Sequence, residues 1–202
     1  SNAITKLFEA VLADVYLHVI ADTDYQFGFK GGHSTSLCTK VLKETVKYYN
    51  QRNSNVFVCF VDFSKAFDKV NYWKLFNKLL DDSVDPNVVS IIAFWYSQQQ
   101  VCVRWQNAVT DSFRVGNGTR QGGVLSPVLF TRYVRDLINA IVASHIGCHI
   151  GNLCINILAY ADDIVLLTPS WRAMQQLLDI LVGQIAVIDM SCNVMKTVCM
   201  VF

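Results

Sequence analysis

The sequence predicts an α+β fold in which helices pack on one face of an antiparallel sheet. Three observations carry that expectation. Short apolar runs of β character stand at 56–61, 153–158, 164–168 and 197–202. Long segments whose apolar residues recur at helical spacing lie between them. Two of the runs are joined only by Tyr160-Ala161-Asp162-Asp163, a connection short enough for antiparallel neighbours and far too short for parallel ones.

Taken in order, Ile4, Leu7, Phe8, Val11, Leu12 and Val15 form an apolar stripe and predict a helix to about Ile20. Residues 22–34 contain Gly and read as irregular. A second helix is expected from Ser34 or Thr35 to about Asn50. Val56-Phe57-Val58-Cys59-Phe60-Val61 reads as a strand buried on both faces. The next helix offers Trp73, Leu75, Phe76, Leu79 and Leu80 as its inner face. Asp85-Pro86 is a cap followed by proline at the first helical position, so a further helix runs to about Ser97. Residues 100–105 and 110–115 predict a hairpin, and 116–123 a Gly-rich loop. A helix follows from Ser126-Pro127 to about Ser144. Pro169 opens a last helix to about Met190, and 197–202 is a closing strand. With no linker or repeat visible, the chain reads as one continuous domain.

Composition narrows the function classes. The chain has 202 residues, 52% of them hydrophobic and 16% charged, which excludes a disordered protein. No apolar run reaches the ~18 residues of a membrane span. Ser1-Asn2-Ala3 reads as an expression scar with no secretory signal after it. The net charge is +1, so charge alone does not announce nucleic acid. The seven cysteines at 38, 59, 102, 148, 154, 192 and 199 include no Cys-x-x-Cys pair. Most lie in apolar runs and read as reduced thiols of a cytoplasmic or nuclear protein. His145, Cys148, His149 and Cys154 lie close together, but their spacing suits a short hairpin better than a structural zinc site.

The carboxylates carry the chemistry. Asp62 ends a very apolar strand, and Asp162-Asp163 occupy a turn between two apolar strands. A carboxylate there is costly unless its charge is compensated. Asp is also a common turn former, so each alone signifies little. Together they suggest three converging oxygen ligands for Mg²⁺, in the arrangement of two ions that serves nucleotidyl transfer.

Tyr160-Ala161-Asp162-Asp163 resembles the Tyr-x-Asp-Asp box, motif C, of reverse transcriptases. Phe60-Val61-Asp62-Phe63-Ser64-Lys65-Ala66-Phe67-Asp68 resembles motif A, and Gly118-Thr119-Arg120-Gln121-Gly122-Gly123-Val124-Leu125-Ser126-Pro127 resembles motif B. Gln26-Phe27-Gly28-Phe29-Lys30 and Gly32-His33-Ser34-Thr35 look like the fingers motif before motif A. Asn193 to Thr197, with Lys196, looks like motif D. The wording of A and B is nearest to non-LTR (LINE-type) retrotransposons, with group II intron enzymes next.

The resemblance implies a right-hand polymerase palm, an antiparallel sheet backed by helices. It implies partial fingers over 4–54, palm elements over 55–202 and no thumb, as in a piece of a larger retroelement protein. By motif position, Asp62, Asp162 and Asp163 would be the catalytic metal ligands for two Mg²⁺, with Mn²⁺ as a substitute. Lys196 would protonate the departing pyrophosphate. Phe63, Lys65, Ala66, Phe67, Gln121 and Gly122 would meet the nucleotide, and Lys30, Arg120 and Tyr160 the nucleic acid. The implied partners are an RNA or DNA template with its primer, and dNTPs. A homodimer through surface left bare by the missing thumb is a further expectation, as is weak, salt-sensitive binding of primer–template. The competing readings are a catalytically silent scaffold of the same fold and an RNA-dependent RNA polymerase. Retention of all three aspartates speaks against the first, and Ala161 and Phe67 against the second.

Phe67 stands at the steric-gate position of motif A, where a bulky ring excludes a 2′-hydroxyl. Phe67→Ala is expected to weaken discrimination against NTPs in single-nucleotide incorporation, and an unchanged dNTP/NTP preference contradicts the gate.

Overall fold

A computed structural model of the chain describes residues 3–17, 20, 23–120 and 122–202. In chain order its elements are α1 (Ala3–Tyr16), α2 (Thr35–Asn50), β1 (Phe57–Val61), a 3-10 turn (Ala66–Lys69), α3 (Tyr72–Asp81) and α4 (Pro86–Ser97). Then come β2 (Gln100–Val101), β3 (Arg104–Trp105), β4 (Ala108–Val109), β5 (Phe113–Arg114) and α5 (Ser126–Ala143). The remainder is β6 (Cys148–Ile150), β7 (Leu153–Ile155), β8 (Ile157–Tyr160), β9 (Asp163–Thr168), α6 (Trp171–Val187) and β10 (Val198–Val201). Where the sequence suggests one domain, the structure forms two compact units, one within 1–21 and 67–133, the other within 22–66 and 134–202.

The second unit is built on a four-stranded sheet in the order β10-β1-β9-β8, antiparallel throughout. Val58, Cys59 and Val61 of β1 are buried, as expected for a central strand. Side chains from α2, among them Val41, Leu42 and Val46, cover a core of Val58, Leu158 and Leu167. α6 turns Met174, Leu177, Leu181 and Ile185 inward and meets β1 and β9. Polar side chains set the helix starts: Ser34 Oγ accepts from Leu37 N–H, and Ser170 Oγ from Ala173 N–H. The run expected at 153–158 breaks at Asn156, because its fully buried side chain turns aside to donate to Ile141 O at 2.7 Å. β6 and β7 form a hairpin in which His149 lies opposite Cys154.

The first unit is mostly helical. Asn71 caps α3 and Asp85 caps α4, with Pro86 at the first turn. Tyr72, Leu75, Phe76 and Leu79 of α3 pack with Ile92 and Tyr96 of α4 in its core, and the Tyr72 and Tyr96 rings meet edge-on at 5.3 Å. The Arg132 guanidinium is buried on Asp82 at 2.6 Å and also donates to Lys78 O. The expected 100–115 hairpin forms as two short ladders, β2 with β5 and β3 with β4.

Four expectations need correction. α1 ends at Tyr16, and its apolar stripe is largely in solvent: Leu12 is buried, Ile4, Leu7, Phe8, Val11 and Val15 are exposed, and the other buried residue is Glu9. Trp73 and Leu80 lie on the outer side of α3, since the helix turns its Tyr72–Leu75–Phe76–Leu79 face inward. α6 starts at Trp171 and stops at Val187, before Asp189 takes a left-handed φ of 54°. The closing strand expected over 197–202 is trimmed to β10, Val198–Val201, which lies at one edge of the sheet and is exposed along its length.

Leu166 is fully buried in β9, between β1 and β8. Leu166→Ala is expected to lower unfolding free energy by about 2–5 kcal/mol. Trp73→Ala, on the exposed side of α3, should cost under about 0.5 kcal/mol. Urea denaturation followed by circular dichroism separates the two.

Candidate active site

The site begins with strand register. β8 and β9 form a hairpin in which Tyr160 pairs with Asp163, leaving Ala161 and Asp162 as the turn. β1 pairs with β9 so that Val61 lies opposite Ile164. One step further along the same register, Asp62 comes opposite Asp163. The sheet therefore delivers the three sequence-predicted aspartates to one end.

Asp62 is held by its backbone. Its N–H donates to Thr197 Oγ1 at 3.3 Å, and its carbonyl accepts from Asn193 N–H at 2.7 Å. Thr197 N–H in turn donates to Asn193 O. The segment resembling motif D thus braces the end of β1 and leaves the Asp62 carboxylate unused by that brace.

The carboxylates sense one another. Asp162 is half-buried and Asp163 exposed. Desolvation at the start of β9, reinforced by the charges of Asp162 and Asp62, still raises the Asp163 pKa above the ordinary carboxylate value. Burial and the Asp62 charge likewise push the Cys192 thiol up. Among the described residues no three His, Cys, Asp or Glu side chains close into a cluster that would hold an ion. The donor chemistry nevertheless fits a hard divalent cation: carboxylate oxygens, partly solvated, whose mutual repulsion a cation relieves.

A residue that sequence reasoning did not single out holds the turn. Ala161 has φ +58°, a left-handed conformation that costs a non-glycine residue about 1–2 kcal/mol. The Gln26 side chain, 1% exposed, engages both polar groups of Ala161. Oε1 accepts from Ala161 N–H at 2.9 Å, and Nε2 donates to Ala161 O at 3.1 Å. Oε1 also accepts from Gly28 N–H at 2.9 Å. Gly28 is glycine for space, because a Cβ there would lie 2.4 Å from Ala161 N. Backbone bonds from Phe27 N–H to Ala159 O and from Ala159 N–H to Tyr25 O complete the dock.

The other expected residues of this unit are arranged as follows. Lys65 is exposed with φ +53°. Lys196 is exposed in the 193–197 turn. Lys30 Nζ donates to Thr23 O at 2.5 Å, so its ammonium is already engaged. Tyr160 is partly buried against the core. Phe63 and Ala66 are buried, which leaves them backbone contacts at most.

In the other unit, the Phe67 ring stacks on Phe130 with centroids 4.1 Å apart, which fixes its direction. Thr119 N–H donates to Phe67 O and Gly118 N–H to Val70 O, both at 2.8 Å. Gly118, at φ +93°, leaves no room for a Cβ against the Asp68 backbone. Gly122 is exposed with φ +76°. Gln121 lies outside the described residues. Arg120 lies 3.6 Å from Glu9 with its guanidinium 5.5 Å from the centre of the Trp95 ring. The expected nucleic-acid contact of Arg120 therefore competes with an internal partner.

Glu9 is the second residue that sequence reasoning missed. Its carboxylate, 3% exposed, accepts from Val124 and Leu125 N–H at the start of α5 and pairs with Arg120. A negative charge suits a helix N-terminus. The signal available in the sequence was an acid set beside the helix's apolar stripe, between Phe8 and Val11; for Gln26 it was a polar side chain two residues before a glycine.

The sequence profile of the family "Reverse transcriptase (RNA-dependent DNA polymerase)" matches residues 2–201. A Drosophila melanogaster Pol polyprotein from the type-2 retrotransposable element R2DM is 26% identical over 156 residues, 77% of this chain and 14% of that protein. The probable RNA-directed DNA polymerase from transposon BS of the same species is 27% identical over 177 residues, 84% of this chain and 18% of the relative. The chain thus spans under a fifth of the length of these relatives. A structure of telomerase from Candida tropicalis with a TWJ fragment of telomeric RNA superposes with a TM-score of 0.69 at 11% identity, covering 98% of this chain and 34% of that one. At that identity the likeness shows the fold alone, a right-hand polymerase fold.

Glu9→Ala strips Arg120 of its partner and bares two N–H groups at the start of α5. It is expected to cost about 3 kcal/mol, measured by urea denaturation; a loss below about 0.5 kcal/mol, the scale of an ordinary surface change, contradicts this role.

Proposed function

The chain belongs to the reverse transcriptase family, and on that premise we propose that it is the catalytic core of an RNA-directed DNA polymerase from a non-LTR retrotransposon. The observation that carries the reading is the β1–β9 register, which brings Asp62 to the end of the sheet occupied by Asp162 and Asp163.

Reverse transcriptases use divalent metal ions. In the proposed reaction Asp62, Asp162 and Asp163 would hold two Mg²⁺, with Mn²⁺ as a substitute. When bound, the ions supply Lewis-acid stabilisation of the phosphates and favour the ionised primer 3′-hydroxyl. The bond formed joins that hydroxyl oxygen to the α-phosphorus of a dNTP, and pyrophosphate leaves. Lys196 is proposed to give its proton to the departing pyrophosphate, as a general acid. Its exposure leaves the ammonium available. Lys65 neutralises triphosphate charge, and the backbone at Phe63 and Ala66 lines its approach. Phe67 is the gate against a 2′-hydroxyl, supported by its fixed stacking on Phe130. Gln121 and Gly122 meet the incoming nucleotide. Arg120, Lys30 and Tyr160 contact template or primer, Arg120 at the expense of its hold on Glu9. The proposed partners are a primed RNA or DNA template and dNTPs, with a second copy of the chain as a further candidate. Palm elements are assigned to 55–202 and partial fingers to 4–54. No helix among the described residues is long and apolar enough to cross a membrane, and the proposed setting is the cytoplasm or nucleus.

Primer extension on a poly(rA)–oligo(dT) duplex tests the reading. Mg²⁺-dependent extension by the chain is expected, abolished in an Asp162→Ala/Asp163→Ala double variant of unchanged circular dichroism. Equal extension by the double variant, or none by the folded chain, contradicts it.

A further inference from the structure

We infer that Gln26 is a positioning residue for the Asp162–Asp163 turn: its side-chain amide holds Ala161 in the left-handed conformation from which the two aspartates project. The inference deepens the proposed polymerase reading and rests on it for what the aspartates bind.

Four observations converge on this assignment. Gln26 is almost fully buried, and a buried amide is retained only where its bonds are made. Its bonds go to the N–H and the C=O of one residue, Ala161, so both faces of that peptide position are fixed by one side chain. Ala161 is the turn residue whose backbone would relax without support, since alanine has no preference for φ +58°. Gly28 brings the Gln26 segment close enough to reach, because any Cβ at 28 would strike Ala161 N. The spacing of Gln26, Gly28 and the turn thus has one geometric cause. Gln26 itself donates nothing to substrate or metal. It acts through the direction of Asp162, the residue after the one it holds.

If Gln26 serves to hold Ala161 at positive φ, a residue that adopts positive φ freely should make it dispensable. Glycine is that residue.

The experiment compares the 202-residue chain with Gln26→Met, Gln26→Glu, Ala161→Gly, the Gln26→Met/Ala161→Gly double variant and, as a control for the binding site, Asp162→Ala. The first readout is Mn²⁺ binding followed by electron paramagnetic resonance, without nucleotide or primer. The second is primer extension, with kcat and the dNTP KM measured separately. Gln26→Met removes every bond at nearly constant volume and is expected to weaken Mn²⁺ binding by roughly tenfold. It should lower kcat by a similar factor with dNTP KM nearly unchanged. Gln26→Glu keeps the acceptor for Ala161 and Gly28 N–H but loses the donor to Ala161 O, and should fall between. The double variant should recover most of the Mn²⁺ affinity. A structural role alone would lower the melting temperature of Gln26→Met without this recovery, and that outcome overturns the inference. So does wild-type Mn²⁺ affinity in Gln26→Met. Should the chain bind Mn²⁺ through its aspartates yet extend no primer, the polymerase reading fails while the Mn²⁺ series still decides the role of Gln26. If Asp162→Ala leaves Mn²⁺ binding unchanged, both readings fall together.

Discussion

The pairing of β1 with β9 is the constraint on which the rest of the structure depends. These strands meet in one register, Phe57 against Thr168 through Val61 against Ile164. A sheet has a period of two, so a slip of one residue would move Val58 and Leu167 from the face packed under α2 to the opposite face, where Cys59 and Leu166 are buried. The apolar core therefore enforces the register, and the register places Asp62 beside Asp162 and Asp163. Packing and chemistry are specified by the same residues. The site needs no separate device to bring its two chain segments together; it needs only the sheet to fold.

What the sheet does not supply is the exact direction of the carboxylates, and two braces provide it. At the end of β1, Asn193 and Thr197 occupy the backbone polar groups of Asp62 and leave its carboxylate outside that brace. At the hairpin turn, Gln26 does the same for Ala161. Both spend polar groups to hold backbone, and both come from segments remote in sequence. The raised pKa of Asp163 reflects first its desolvation at the start of β9 and then the nearby charges of Asp162 and Asp62. Raised above its unfolded value, the group binds a proton more readily in the folded state. Its contribution to stability is therefore largest at acidic pH and declines as pH rises through the raised pKa. Acid sites of this kind trade stability for readiness to bind a cation.

Much of this was legible in the sequence, and the failures have definite causes. Strand β1, helix α2 with its Ser34 cap, the Asp85-Pro86 start of α4 and the β8–β9 hairpin all follow from local patterns whose energetics are local. The three aspartates were legible because an acid at the end of a very apolar strand has few uses. Helix α1 was misread because helical periodicity reports an apolar face without saying whether anything covers it: its stripe is exposed and Glu9 is buried. Trp73 and Leu80 were misjudged in the same way. Glu9 and Gln26 were passed over because their partners lie 115 and 135 residues away. No local rule shows that a polar side chain will be buried against a distant helix start or turn. The motif resemblance drew attention to Gln26 and Gly28 as a segment, but only the contact with Ala161 gives their spacing a physical reason.

The central claim is that residues 62, 162 and 163 bind one divalent centre, and affinity cleavage tests it most directly. Fe²⁺ substituted at the site, with ascorbate and peroxide, cuts the backbone nearest the bound ion, and mass spectrometry maps the cuts. Two sets of cuts are expected, one around Asp62 and one around Asp162–Asp163, both suppressed by excess Mg²⁺. Cuts centred on other acidic residues, or cuts at one of the two segments without the other, would contradict it.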